Sequence, residues 1–235
     1  MRRLSRMTDG SESKKLGEHE ILSALKRLNE MFCEFNVNES ITISGGAVCV
    51  LEGLREKTHD IDTYTELSDS RYQALISAIA KKYDYDDDWL NDQPFSVSPH
   101  GLPIMKLFTF SNLEVYRLTD ESMLISKIKA ARSKDLLDAC YFANKLKLAS
   151  KSQIMSLCRQ YDVLFSVEDV NKSIADQKAK EAIDMAIGYI EFPTNFHELQ
   201  NKYMAEIENR NRFLDRVISE CLSHSTTHSQ TDTHD

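Results

Sequence analysis

The sequence predicts an α+β fold, a small mixed β-sheet with flanking helices, followed by a helical C-terminal region. Three observations carry this. The β-favouring runs Ile41–Ser44, Thr58–Thr65, Ile104–Phe110 and Leu113–Leu118 all precede residue 119 and alternate with segments of helical spacing. Beyond Ala149 only helical patterns occur. Seven glycines and four prolines in 235 residues favour helices over long loops.

Residues 1–16 mix basic, Ser and Gly residues without periodicity and read as a disordered arm. From Gly17 to Phe35, the residues Ile21, Leu22, Leu25, Leu28, Met31 and Phe32 recur at helical spacing. Asn36-Val-Asn-Glu-Ser breaks that helix, and Ile41–Ser44 is short and β-favouring. A helix is predicted over Ala47–Leu54, then the Thr58–Thr65 strand, then a helix over Ser68–Lys82. Tyr83–Asp92 reads as an acidic, aromatic loop, and Pro94, Pro99, Gly101 and Pro103 punctuate the next ten residues or so. Ser111-Asn112 is the turn between the last two strands. Thr119-Asp-Glu-Ser starts a helix that runs to about Arg132, and Ser133-Lys-Asp begins another. Helices over 150–161, 167–190 and 195–222 complete the chain, the last two separated by Pro193. The expected organisation is therefore an arm over 1–16, a core domain over 17–148, a helical region over 149–222 and a disordered tail over 223–235.

Composition narrows the function classes. At 41% hydrophobic and 28% charged residues the chain reads as a soluble globular protein, and it has no apolar run of membrane-spanning length. The basic N-terminus has no apolar stretch behind it, unlike a secretory signal. Five scattered cysteines without CxxC spacing argue against disulfides and structural zinc and fit a reducing cytoplasm. A net charge of −8 argues against non-specific polyanion binding by the whole molecule, while leaving room for a local basic groove.

One stretch concentrates the chemistry. Ser44-Gly45-Gly46 lies between a strand and a helix, where backbone N–H groups favour a phosphate. Alone, such a turn is only a turn; its place before Asp60-Ile61-Asp62 changes that. Two aspartates two positions apart on a strand leave the same face. They repel one another unless a cation compensates, and together they offer hard oxygens to a divalent ion. The same residues also read as solvated acids on a strand edge. A two-metal site, with ions about 4 Å apart, needs a third acid. Glu114, flanked by Leu113 and Val115, reads equally as that acid or as an exposed strand glutamate. Lys127, Lys129, Arg132, Lys134 and Asp135 make a basic stretch in an acidic protein. If its helix is continuous, Lys127 and Lys134 share one face two turns apart and suit a triphosphate; otherwise they are a solvated face. His59 points away from the aspartates, and no Ser-His-Asp or Cys-His set emerges from spacing. The Asp84–Asp92 run reads as a further cation-holding stretch or, more commonly for such runs, as a solvated loop.

Ser44-Gly45-Gly46, an apolar helix and then Asp60-Ile61-Asp62 together resemble the signature of the polymerase beta-like nucleotidyltransferase superfamily. More narrowly, three blocks resemble the bacterial toxin-type nucleotidyltransferases related to AbiEii. They are Gly-Gly-Ala with Gly53-Leu-Arg and Thr58-His-Asp-Ile-Asp, then Trp89-Leu-Asn-Asp, then Ser126-Lys-Ile-Lys-Ala-Ala-Arg-Ser-Lys-Asp-Leu-Leu-Asp138. The resemblance spans residues 41–147 and departs at Ala47, where many relatives carry Thr or Ser. It implies a nucleotidyltransferase core over 17–148, in which Asp60 and Asp62, with Glu114 as third acid, hold Mg²⁺ or Mn²⁺. It further implies that Ser44, Gly45 and Gly46 line the NTP phosphates. Lys127 would stand by the triphosphate, with Arg132, Lys134, Asp135 and Asp138 in the same motif. The implied activity moves NMP from an NTP to a hydroxyl of RNA, such as tRNA, or of protein, as the toxin of a toxin–antitoxin or phage-defence system with a cognate antitoxin. The alternative is a catalytically inactive nucleotide-binding or protein-interaction module on the same fold.

Overall fold

The computed structural model describes residues 15–67, 70–93, 101–148, 150–161, 163, 167–186 and 196–223. It is a mixed α+β chain that divides into two compact units. One comprises residues up to Val97 together with Ile104–Leu118, the other Ser98–Pro103 together with Thr119 onwards. The division falls at Thr119 and puts the basic stretch in the second unit.

In the first unit, α1 (Glu18–Glu34) buries Ile21, Ala24, Leu25, Leu28 and Phe32, the apolar stripe that its spacing predicts. Glu18 and Glu20 lie in its first turn, and the Gly17 N–H donates to Glu20 Oε2 at 3.0 Å. Strand β1 (Glu39–Ile43) enters the core with Ile41 and Ile43 fully buried. A seven-residue helix, α2 (Gly45–Leu51), comes directly after it and buries Ala47, Val48, Cys49 and Val50. Next come β2 (Ile61–Asp62), α3 (Ser70–Tyr83), β3 (Leu90–Asn91), β4 (Ile104–Thr109) and β5 (Leu113–Leu118).

Strand β1 pairs in parallel with β5, which pairs antiparallel with β4. Strands β2 and β3 form a parallel pair that meets β1 through an antiparallel bridge, Ile43 with Thr63. That bridge is closed by Ser44 N–H to Asp62 O at 2.8 Å and Tyr64 N–H to Thr42 O at 2.6 Å. The result is the small mixed sheet that the sequence predicts.

Several boundaries differ for physical reasons. The predicted 58–65 strand is broken up because its backbone serves three partners. Thr58 pairs with Leu16 at 2.7 and 2.9 Å, Ile61–Asp62 pair with β3, and Thr63 bridges to β1. Leu16, assigned by sequence to the disordered arm, is buried in the fold; the rest of the expected arm to residue 14 lies outside the described residues. Strand β3 falls inside the acidic stretch read as a loop. Trp89 and Leu90 are buried there, and the indole N–H donates to Ile76 O at 3.1 Å.

In the second unit, α4 (Asp120–Ala130) is capped by Thr119, whose hydroxyl accepts from Ser122 N–H at 3.2 Å. It ends at Ala131 in the left-handed conformation, φ 48°. A short 3₁₀ turn (Ser133–Asp135) leads into α5 (Leu136–Lys145), α6 (Lys151–Arg159), α7 (Val167–Ala186) and α8 (Phe196–Ser223). Helix α8 packs on α5 and closes the end of α4. Arg210, 6% exposed, donates to Lys129 O at 3.1 Å, and Asn209 donates to Ala131 O at 3.4 Å. These side chains satisfy carbonyls that a helix end otherwise leaves unpaired. Ser223, assigned by sequence to the tail over 223–235, is the last residue of α8, and Pro193 and the rest of that tail lie outside the described residues. No described helix is long and apolar enough to cross a membrane.

Candidate functional site

The first unit assembles the Gly-Gly turn and the aspartate strand into one site. Gly45 has φ +61°, a conformation that L side chains rarely adopt. A Cβ there would overlap Asp62 Oδ2 and stand 2.9 Å from Asp62 Cβ and Cγ. A Cβ at Gly46 would overlap Thr58 Oγ1 and stand 3.0 Å from Thr58 Cβ. Both glycines are therefore required by close approach: the turn backbone is the floor on which Asp62 and Thr58 rest. Ser44, which precedes them, is 2% exposed, and among the described residues its hydroxyl has no hydrogen-bond partner. An unsatisfied buried hydroxyl is unfavourable by about 1–3 kcal/mol and calls for an explanation.

Asp60 and Asp62 are half-buried on either side of fully buried Ile61, while His59 is exposed. Asp60 sits in the bend before β2, and its Oδ2 accepts from Asn91 Nδ2 at 3.2 Å. Asn91 is also the ladder partner of Asp62, so the same β3 residue that bonds the Asp60 carboxylate is paired in register with Asp62. Thr63 is fully buried and fastened to the same strand, its N–H donating to Asn91 O at 2.8 Å and its hydroxyl lying between Thr65 O at 3.0 Å and Asn91 O at 3.1 Å. Thr65 Oγ1 accepts from Thr42 N–H at 2.8 Å. Neither Thr58 nor Asn91 is marked as a site residue by the sequence pattern alone. The signal was present in Asn91, a polar residue next to two buried apolar ones inside an acidic run.

Glu114 lies elsewhere. It is paired with Ser40, whereas Arg117 is opposite Ile43, next to the turn. Three residues of register place Glu114 roughly 10 Å along the strands from that level. Its carboxylate accepts from Lys106 Nζ at 2.5 Å and from the Tyr116 hydroxyl at 2.8 Å. The Lys106 hydrogen bond, and then that of Tyr116, hold the Glu114 carboxyl below its ordinary value. Glu114 alternates with the buried Leu113 and Val115, but alternation says nothing of its position along β1. Arg117, 5% exposed, pairs instead with Glu52 at 3.0 Å, at the C-terminal end of α2.

The second unit holds the predicted basic residues in a different arrangement. The continuity on which a shared Lys127–Lys134 face depends is absent, because Ala131 ends α4. Lys127 is 5% exposed and bonds Asp135 Oδ1 at 3.0 Å and Asp138 Oδ2 at 2.7 Å. Arg132 clasps Asp135 from the other side, Nε to Oδ2 at 2.6 Å and Nη2 to Oδ1 at 3.2 Å. Burial pushes the Asp135 carboxyl up, but the Arg132 hydrogen bond and the Lys127 charge outweigh it, so the group lies below its ordinary value. Lys134 is exposed. Lys127, Asp135 and Asp138 are buried and the exposed Arg132 closes the cluster from outside, where sequence suggests an open basic face.

The donors in the first unit suit one hard divalent cation. Mg²⁺ is typically held by one or two carboxylates and completes its shell with substrate phosphates and water. Asp60 and Asp62 could supply that pair, with the buried Ser44 hydroxyl, which lacks a hydrogen-bond partner among the described residues, at the adjoining turn. A second ion is not matched: Glu114 is engaged elsewhere, and the described residues contain no group of three or more metal-ligating side chains.

Compared with protein-family models, with curated proteins and with solved structures, the chain matches none.

Proposed function

We propose that the chain is a metal-dependent nucleotidyltransferase that moves NMP from an NTP to a hydroxyl of RNA, such as tRNA, or of protein. The observation that carries this reading is the turn in which Asp62 rests on Gly45 beside the buried, unpaired Ser44 hydroxyl. A carboxylate held against bare backbone, next to a donor without a partner, fits a phosphate-and-cation site better than a structural turn. When bound, Mg²⁺ or Mn²⁺ offsets triphosphate charge and polarises the α-phosphate. Asp60 and Asp62 hold that ion, and Ser44 with the Gly45–Gly46 backbone receives phosphate oxygens. The acceptor oxygen forms a bond to the α-phosphorus, the bridging bond to the β-phosphate breaks, and pyrophosphate leaves as the hydroxyl proton passes to solvent. The resemblance to AbiEii-related toxins supports placing the activity in a toxin–antitoxin or phage-defence setting, with a cognate antitoxin as partner.

A second reading is a nucleotide-binding or partner-binding module without catalysis. It is favoured by the engagement of Glu114 with Lys106 and Tyr116, which leaves the third acid of a two-metal site unsupplied. Incubation with α-³²P-labelled NTPs, Mg²⁺, total RNA and cell lysate separates the two. Transfer of label that vanishes in Asp62→Ala supports the enzyme. Nucleotide binding with no transfer from any of the four NTPs supports the module.

A further inference from the structure

We propose that Asn91 is a positioning residue for the cation site, holding the Asp60 carboxylate in orientation; this rests on the metal-dependent reading above. Asp60 needs such help because it stands in a bend, outside the two-residue ladder of β2. The support comes from an amide whose two ends are sorted by their partners. Asn91 Oδ1 accepts from the Gln93 backbone N–H at 3.2 Å, a contact that only the oxygen end can make. The NH₂ end is thereby directed to Asp60 Oδ2, 3.2 Å away. The backbone of Asn91 is fixed as well, since its carbonyl accepts from the Thr63 N–H at 2.8 Å. Asn91 is thus held from two sides, lies in register with Asp62 and donates to Asp60. The neighbouring Asp92 has a separate task, accepting from Leu67 N–H at 2.8 Å. A carboxylate at position 91 would set a third negative charge beside the pair, whereas the neutral donor orients a ligand without competing with it. Partners of this kind fix the geometry of metal-ligating carboxylates, and their loss weakens metal binding by about 10–100-fold.

The test is a Mn²⁺ titration of the full chain monitored by electron paramagnetic resonance, with Mn²⁺ alone and with an equimolar mixture of the four NTPs. Asn91→Ala and the near-isosteric Asn91→Leu should weaken Mn²⁺ binding about 10–100-fold. Their thermal midpoints should stay close to wild type, and Asn91→Leu decides the matter if the alanine variant unfolds. Asp60→Ala should weaken binding at least as much, and adding Asn91→Ala to it should weaken binding no further. Mn²⁺ affinities of the Asn91 variants within twofold of wild type, while Asp60→Ala loses binding, would overturn the positioning role and leave the cation site intact. Equal Mn²⁺ binding by wild type and Asp60→Ala would overturn the cation reading itself, and this inference with it.

Discussion

The Asp62 carboxylate lies directly on Gly45: the space a Cβ would take at that turn is already filled by Asp62 Oδ2. Gly45→Ala therefore does two things. It puts a side chain at φ +61°, unfavourable by about 1–2 kcal/mol for a left-handed backbone, and it displaces the carboxylate. The urea midpoint should fall accordingly, and label transfer should drop by about a hundredfold, since misplacing a reacting group by an ångström has an effect of that size. Unchanged transfer in a folded Gly45→Ala protein would show that the contact is not part of the site.

Gly46 makes the same argument with a built-in control. Its virtual Cβ meets Thr58, first at Oγ1 and then at Cβ, 3.0 Å away. Gly46→Ala alone should lower the thermal midpoint by several degrees, as overpacking of about 1–3 kcal/mol does. Adding Thr58→Ala removes the hydroxyl and should restore part of the loss, whereas Thr58→Ala by itself gives no gain. An additive double variant would place the damage elsewhere.

Period and residue type are encoded locally, and register is not; the legible and the hidden parts of the molecule divide along that line. Helix α1 was legible because Ile21, Leu25, Leu28 and Phe32 carry its period, and the β4–β5 hairpin because Ser111-Asn112 interrupts two apolar runs. Strand β3 was not, because two residues have no period and Leu90 sits among aspartates. The break near Ala131 was legible to within a residue, because Ser133-Lys-Asp reads as a second helix start, but that this turn folds Asp135 back onto Lys127 was not. In the site itself, residue types were readable and positions along the strands were not. Alternation gives the face of Glu114, but only the pairing of β1 with β5 shows that it meets Ser40.

That register has a kinetic consequence. Glu114 is held by Lys106 and Tyr116 at a site distant from the turn, so Glu114→Gln should leave NMP transfer within about threefold of wild type, in the range of substitutions remote from the chemistry. Asp62→Asn should lower transfer by more than the about 10–100-fold that loss of a supporting partner brings. Equal losses in the two variants, measured by single-turnover label transfer, would bring Glu114 back as a third acid.

The cluster around Lys127 predicts a stability effect that can be told from a catalytic one. Lys127→Met leaves Asp135 and Asp138, each 1% exposed, without their shared cation, and breaking a buried pair this way destabilises by about 3–5 kcal/mol. Arg132, whose side chain is 55% exposed, should matter less, with Arg132→Ala lowering stability by about 1 kcal/mol or less. Chemical denaturation of the two variants measures both. The triple variant Lys127→Met, Asp135→Asn, Asp138→Asn removes every charge of the inner cluster and should regain part of the stability. Label transfer that returns with it would exclude Lys127 from the triphosphate site.

Acid should act on the same cluster with a definite sign. Burial raises the Asp135 carboxyl, yet Arg132 and Lys127 bring it below the ordinary 3.8, so its folded form binds a proton less readily than its unfolded form. Its contribution is fully present above the unfolded value and is lost as pH falls through the folded one. Thermal midpoints measured from about pH 6 down to about pH 3 should therefore fall more steeply in wild type than in Asp135→Asn. The two curves should converge at the acid end and stand furthest apart near neutrality, where the carboxylate is fully ionised. Parallel curves across the whole range would mean that the Asp135 carboxylate is no better stabilised in the fold than in the unfolded chain.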